Sequence, residues 1–192
     1  INAVSFEADW NSQYSTEDVG EGSFTAASGE KRTVEMMSSL ESKYIRSQNA
    51  SGFIKDYAGG KYGFAVLLPN QNIDIYDYVA GLDADSLIDT LQNAQERSVR
   101  AFMPKFSCDF DMNMKEILIK LGMPTAFSSG ADFSGMTQNA SSSLGISKVL
   151  HKTYISVAEQ GTRAGAVTAV VMDGGSASES APLVIRLDRP FV

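Results

Sequence analysis

The chain has 192 residues, 43% hydrophobic and 20% charged, a balance that supports a folded domain with a core of its own. Its formal net charge of −7 argues against nucleic acid and heparin-like polyanions as partners, and no apolar run is long enough to span a bilayer. The single Cys108 has no partner for an internal disulfide and no metal-ligand companions, so it is expected to be a packed small residue.

Taken in chain order, runs rich in β-branched and aromatic residues predict strands over Ile1–Phe6, Thr33–Met37, Tyr62–Leu68, Ser98–Phe106 and Ile146–Val157. Ala58-Gly59-Gly60-Lys61 suits a hairpin turn. Asp83 or Asp85 can cap a helix over Ser86–Gln95 with Leu87, Ile88 and Leu91 on one face. A second helix is expected after Asn113, which stands three residues before Glu116 in a capping-box-like arrangement; Met114, Ile117, Leu118 and Leu121 keep helical spacing, and Gly122 and Pro124 end it. The chain opens on a strand-like run at Ile1 and stops inside another at Val192, so it is expected to be part of a larger protein.

Several chemistries fail on their residues. His151 is the only histidine, which excludes paired-histidine metal sites and leaves a histidine-based triad one candidate. There is no G-x-S-x-G. Gly60-Lys61 is followed by Tyr62 and preceded by Lys55 where a P-loop needs Ser/Thr and Gly, and Gly20-Glu-Gly22 lacks the third glycine of a dinucleotide fingerprint. No cofactor or metal is expected, and an enzyme is not the favoured reading.

Period two carries the argument further. In the strand ending at Glu159, Val149, His151, Thr153, Ile155 and Val157 share one face, and Lys148, Lys152, Tyr154 and Ser156 the other. His151 is therefore expected on the buried face as a structural residue, where an unpaired imidazole would cost roughly 1–3 kcal/mol. The stretch from Gly161 to Pro182 has the composition of a loop, and a loop of that length in a compact domain is usually functional. Yet Thr162, Ala164, Ala166, Thr168, Val170 and Met172 form one small or apolar face, and no proline falls between Pro124 and Pro182. The loop can therefore pair as a strand, with Gly161 expected to be its hinge.

These residues resemble the serpin family. Val149-Leu-His-Lys-Thr followed by Glu159-Gln-Gly161-Thr162-Arg-Ala164-Gly-Ala166 resembles its buried strand and proximal hinge. Arg186-Leu-Asp-Arg-Pro190-Phe191 resembles the signature after its reactive loop, and Asn2-Ala-Val-Ser-Phe-Glu-Ala-Asp-Trp10 its central-sheet strand. Further matches at Phe24, Gly29, Val34, Met36, Met37, Met103-Pro-Lys105-Phe106, Lys120-Leu-Gly122 and Ala131-Asp-Phe-Ser-Gly135 keep family order along nearly the whole chain.

The resemblance implies an α+β serpin fold, with three mixed or antiparallel sheets, surrounding helices and an exposed reactive loop. This chain would be the C-terminal portion of one such domain, incomplete at both ends, with the loop at about 159–181. It implies a suicide-substrate inhibitor whose partner is a serine protease held in a covalent complex. Loop insertion of this kind combines strand addition with the release of stored strain. By position, Asn2 and His151 resemble a hydrogen-bonded pair beneath the opening region of the sheet, Trp10 the tryptophan where insertion begins, and Lys105 and Glu159 an ion pair near the hinge. Glu159, Gly161, Thr162, Ala164, Ala166 and Thr168 form the hinge. Counting from Glu159 by the family convention puts the reactive bond at Gly175–Ser176, within a window from about Val170 to Glu179. With no Lys or Arg between Arg163 and Arg186, elastase-like or subtilisin-like targets are favoured. The alternative is a non-inhibitory serpin acting as carrier, chaperone or storage protein. The compartment is left open by the residues; the resemblance favours a secreted protein.

Overall fold

The computed structural model describes residues 2–3, 6–136, 144–162 and 181–192. In chain order its strands are β1 (Asn2–Ala3), β2 (Ala8–Asp9), β3 (Val19–Thr25), β4 (Lys31–Arg46), β5 (Ala50–Asp56), β6 (Gly63–Pro69), β7 (Gln95–Pro104), β8 (Phe106–Asn113), β9 (Leu150–Val157), β10 (Gly161–Thr162) and β11 (Leu183–Arg186). The helices are α1 (Ile75–Ala80), α2 (Ala84–Gln92) and α3 (Lys115–Lys120). None of the described helices is long and apolar enough to cross a membrane. Contacts divide the chain into two compact units, Glu7–Phe106 with Ser156–Val192, and Ile1–Phe6 with Ser107–Ile155.

The larger unit is organised by β4. Its first part pairs antiparallel with β3 and β7, and its last residues pair with β5; the β7 ladder shifts register between Glu41 and Lys43. The expected multiple sheets are thus joined here. A β3–β4–β7–β11 ladder and a β4–β5–β6 ladder share one long strand, so among the described residues these two ladders form one hydrogen-bonded set. β11 adds parallel to β7, with Leu183 opposite Val99. The β5–β6 hairpin turns where expected, with Gly59 and Gly60 at φ 84° and 67°, backbone values that suit glycine. Met37, Ile45, Phe53, Val66, Val99 and Met103 are fully buried on the inward faces of these strands.

α2 starts two residues before the predicted Ser86, because the Asp83 carboxylate accepts the Ser86 amide at 3.0 Å. Leu87 and Leu91 pack on a cluster of Ile45, Ala50 and Leu67, whereas Ile88 points to solvent. α1, which the sequence reading does not include, is capped by Asp74 accepting the Tyr76 amide at 2.8 Å.

In the smaller unit β9 pairs parallel with β1 and also pairs with β8. Lys152 and Asp111 form an ion pair at 2.6 Å. The strand expected from Ile146 begins only at Leu150, and the one expected over Ile1–Phe6 is described only at Asn2–Ala3. The capping box at Asn113 does not form: its side chain accepts from the Lys115 and Val149 amides, so it ties the start of α3 to the start of β9. Gly122 ends the helix at φ 100°, as predicted. Cys108 corrects an expectation. It is exposed, because β8 has no buried face: Phe110 two residues on is exposed as well.

Candidate functional site

The described chain turns sharply between β9 and β10. Val157 is opposite Thr162, and the Ala158 amide donates to the Gly161 carbonyl at 3.1 Å. Such a turn leaves carbonyls facing outward, and buried ones need donors. The segment from Trp10 to Tyr14 supplies them. The Trp10 indole Nε1 donates to the Ala158 carbonyl at 2.8 Å, the Tyr14 amide to Glu159 at 3.0 Å, and the Trp10 amide to Gln160 at 2.8 Å. Three consecutive carbonyls are thus held by two residues of one neighbouring segment.

Side chains fix the two ends of the turn. The Glu159 carboxylate meets Lys105 Nζ at 2.8 Å, and Lys105 also reaches Glu35 at 3.2 Å. Partial burial works against ionising Glu159, but the Lys105 ammonium outweighs it and holds the carboxyl below its ordinary value. The same hydrogen bond raises Lys105. At the other end the Thr162 hydroxyl, buried, lies 2.6 Å from the Tyr57 hydroxyl. Burial pushes the Tyr57 phenol up, so it stays neutral and can donate.

Gly161 has a different reason for being glycine than the expected hinge freedom. Its φ is not positive; a Cβ there would run into the Ala8 carbonyl oxygen and lie 2.8 Å from the Asp9 Cα. The residue lets β10 lie close against β2, where Gly161 pairs with Asp9.

Beneath the turn is an aromatic floor. Trp10, 1% exposed, stacks on Tyr57 with ring centroids 4.6 Å apart and meets Phe64 edge-on at 5.7 Å. Below it Lys55, also 1% exposed, is paired with Glu41 at 2.8 Å and stands 4.4 Å above the Tyr14 ring. Burial drives the Tyr14 phenol far up, so it too remains neutral.

Of the residues singled out in the sequence, the structure brings Trp10, Lys105, Glu159, Gly161 and Thr162 together at this turn. Asn2 and His151 are partners in the β1–β9 register, with His151 half-buried on the face it shares with Thr153 and Ile155. Ala164, Ala166, Thr168 and the Gly175–Ser176 bond lie outside the described residues. Beyond them the chain is described again entering β11, where Ile185 and Leu187 are buried; Phe191 of the downstream signature meets Phe24 at 6.5 Å and Phe106 at 5.8 Å. Tyr14, Glu41, Lys55 and Tyr57 were not singled out. Period two puts Phe53, Lys55 and Tyr57 on one face, but the partners of Lys55 and Tyr57 come from segments distant in sequence.

A family model described as Serpin (serine protease inhibitor) matches residues 1–192. A serpin-like protein of Thermococcus kodakarensis is 32% identical over 193 residues, covering 100% of this chain and 44% of its own length. Among solved structures, the thermophilic serpin Tengpin in its native state is 42% identical with a TM-score of 0.86, over 99% of this chain and 49% of its own. Tengpin in its latent state matches over 82% of this chain and 43% of its own, at a TM-score of 0.74. Human thyroxine-binding globulin complexed with thyroxine is 26% identical with a TM-score of 0.81, over 97% of this chain and 48% of its own. The chain therefore spans a little under half the length of the relatives it matches.

Proposed function

Because the chain belongs to the serpin family, we propose that the whole protein inhibits serine proteases as a suicide substrate, with the segment after Thr162 as the bait. The observation that carries this reading is the turn over 158–162. It is held by donors from the separate segment Trp10–Tyr14, and a proline-free stretch with strand alternation follows it in the sequence. In the proposed reaction the protease serine attacks the Gly175 carbonyl and the amine of Ser176 leaves. Gly175 remains as the acyl ester. The freed segment then enters the sheet in register behind Thr162, through its face of Ala164, Ala166 and Thr168. Small side chains on that face keep the steric cost of entry low. The hinge residues Glu159, Gly161 and Thr162 act as the fixed end, Trp10 and Lys105 hold them, and Asn2 and His151 belong to the strands that part. That Tengpin is known in native and latent states supports a family fold with two stable arrangements.

The absence of Lys and Arg between Arg163 and Arg186 favours elastase-like or subtilisin-like targets. The rival reading is a non-inhibitory carrier, which the likeness to thyroxine-binding globulin with bound thyroxine favours. Incubating the protein that carries the complete domain with an elastase-like protease separates the two. The expected product is an SDS-stable covalent complex, and mass spectrometry should find the released peptide beginning at Ser176. Cleaved protein beside fully active protease contradicts the inhibitor reading.

A further inference from the structure

Lys55 does not touch the turn, yet both residues that hold its carbonyls, Trp10 and Tyr14, set their rings against it. Its ammonium is 2.8 Å from Glu41 Oε1, 4.4 Å from the Tyr14 ring centroid and 5.6 Å from that of Trp10. Ser39 Oγ lies 2.6 Å from the same Glu41 oxygen and 3.2 Å from the Tyr14 hydroxyl. Tyr14 is thus fixed at its ring face by Lys55 and at its hydroxyl by Ser39, and both contacts converge on Glu41. Trp10 stacks on Tyr57 and also has the Lys55 charge 5.6 Å from its ring centroid. Those two residues supply all three hydrogen bonds to the carbonyls of Ala158, Glu159 and Gln160.

A buried ion pair is a poor device for stability, since removing two charges from water costs about what their attraction returns. It is a good device for fixing geometry, because the carboxylate and the ring faces admit the ammonium in one place. We infer that the Lys55–Glu41 pair is a positioning element for the 158–162 turn: it orients Trp10 and Tyr14 and so fixes the turn up to Thr162. This rests on the inhibitor reading only for its consequence, which is that a loosened turn delays insertion and lets the protease escape.

Two measurements on the protein carrying the complete domain test it. Amide hydrogen exchange is compared for wild type, Lys55→Met, Glu41→Gln and the double variant. Each single variant strands one partner of the pair, so exchange at the Trp10 and Tyr14 amides should rise roughly 100-fold or more, the scale on which a broken buried pair acts. Amides of the β4–β7 ladder should stay near wild type, and the double variant should recover part of the loss. Exchange that rises uniformly across β4 and β7, or does not rise at Trp10 and Tyr14, overturns the inference. Either single variant suffices if the other fails to fold. In the second measurement, the ratio of cleaved protein to covalent complex should rise in the single variants against a serine protease that wild type traps. An unchanged ratio alongside loosened amides overturns the link from the turn to trapping. A wild type that forms no complex refutes the inhibitor reading, while the exchange result still decides the role of Lys55.

Discussion

The two units differ in what they bury. Every fully buried apolar side chain among the described residues, from Trp10 to Leu187, lies in the larger unit. The smaller unit leaves Phe110, Leu121, Met123, Met136 and Tyr154 exposed, with Leu121 at 74%. Both have strands with correct alternation, so alternation alone does not make a core. The larger unit packs α2 on its sheet, whereas β8 has no buried residue and the apolar face of β9 is only half-buried from His151 to Ile155. The turn over 158–162 belongs to the well-packed unit, as the proposed function requires of a fixed hinge.

That contrast should be visible as the largest effect on the 192-residue chain by itself. Backbone amides of the β4–β7 ladder should exchange at least ~1,000-fold more slowly than those of β8 and α3. Equal protection in the two units would break the comparison. The isolated chain should also trap no protease, and a covalent complex formed by it would show that insertion needs no strands beyond these.

Single substitutions sharpen the contrast. Trp10→Ala removes a stacked, fully buried ring and the donor to Ala158, and should cost about 3–5 kcal/mol in chemical denaturation. Leu121→Ala in the smaller unit should stay within about 0.5 kcal/mol. Gly161→Ala forces a Cβ against the Ala8 carbonyl and should cost about 1–3 kcal/mol, whereas Gly20→Ala, where a Cβ meets nothing within 4 Å, should be far milder. Tyr57→Phe leaves the buried Thr162 hydroxyl without its partner, for about 1–3 kcal/mol.

The smallest effect is electrostatic. Glu159 titrates below its ordinary value near 4.5, so its contribution is present above that value and is lost as pH falls through the lowered one. Lys105 titrates above its ordinary value near 10.5, so its contribution is full below that value and is lost as pH rises through the raised one. The pair therefore works across neutral pH and weakens at both extremes. Because both groups are partly solvated, Glu159→Gln should cost no more than about 1 kcal/mol at pH 7, with the difference from wild type vanishing in acid. A difference that grew in acid would contradict the assignment.

How much of this was legible follows from which forces are local. Asp83 before an apolar-periodic run, Gly59-Gly60 between two strands, and Gly122 before Pro124 encode their structures within a few residues, and each element appears. β9 was legible by period two, although its first residues are not strand. β8 also alternates, Phe106, Cys108, Phe110 and Met112 against Ser107, Asp109, Asp111 and Asn113, a signal that ending a strand at Phe106 passes over. β3 was obscured by Gly20 and Gly22, which weaken strand propensity; at Gly22 a Cβ would lie 3.0 Å from that of Met36 across the ladder. At the site, Glu159, Thr162 and Trp10 were found through family resemblance. The reason Gly161 is glycine, and the part played by Lys55 and Tyr57, depend on strands distant in sequence, which no local pattern reports.

The proposed function requires a fixed turn at 158–162 and a following segment that can enter the sheet once it is cut. Its most direct test is thermal unfolding of the protein carrying the complete domain, before and after a single protease cut within residues 163–180. A large rise in the midpoint after cleavage is the predicted result, because the freed segment gains a full set of ladder hydrogen bonds. An unchanged midpoint would mean that the segment stays out of the sheet, and would contradict the account.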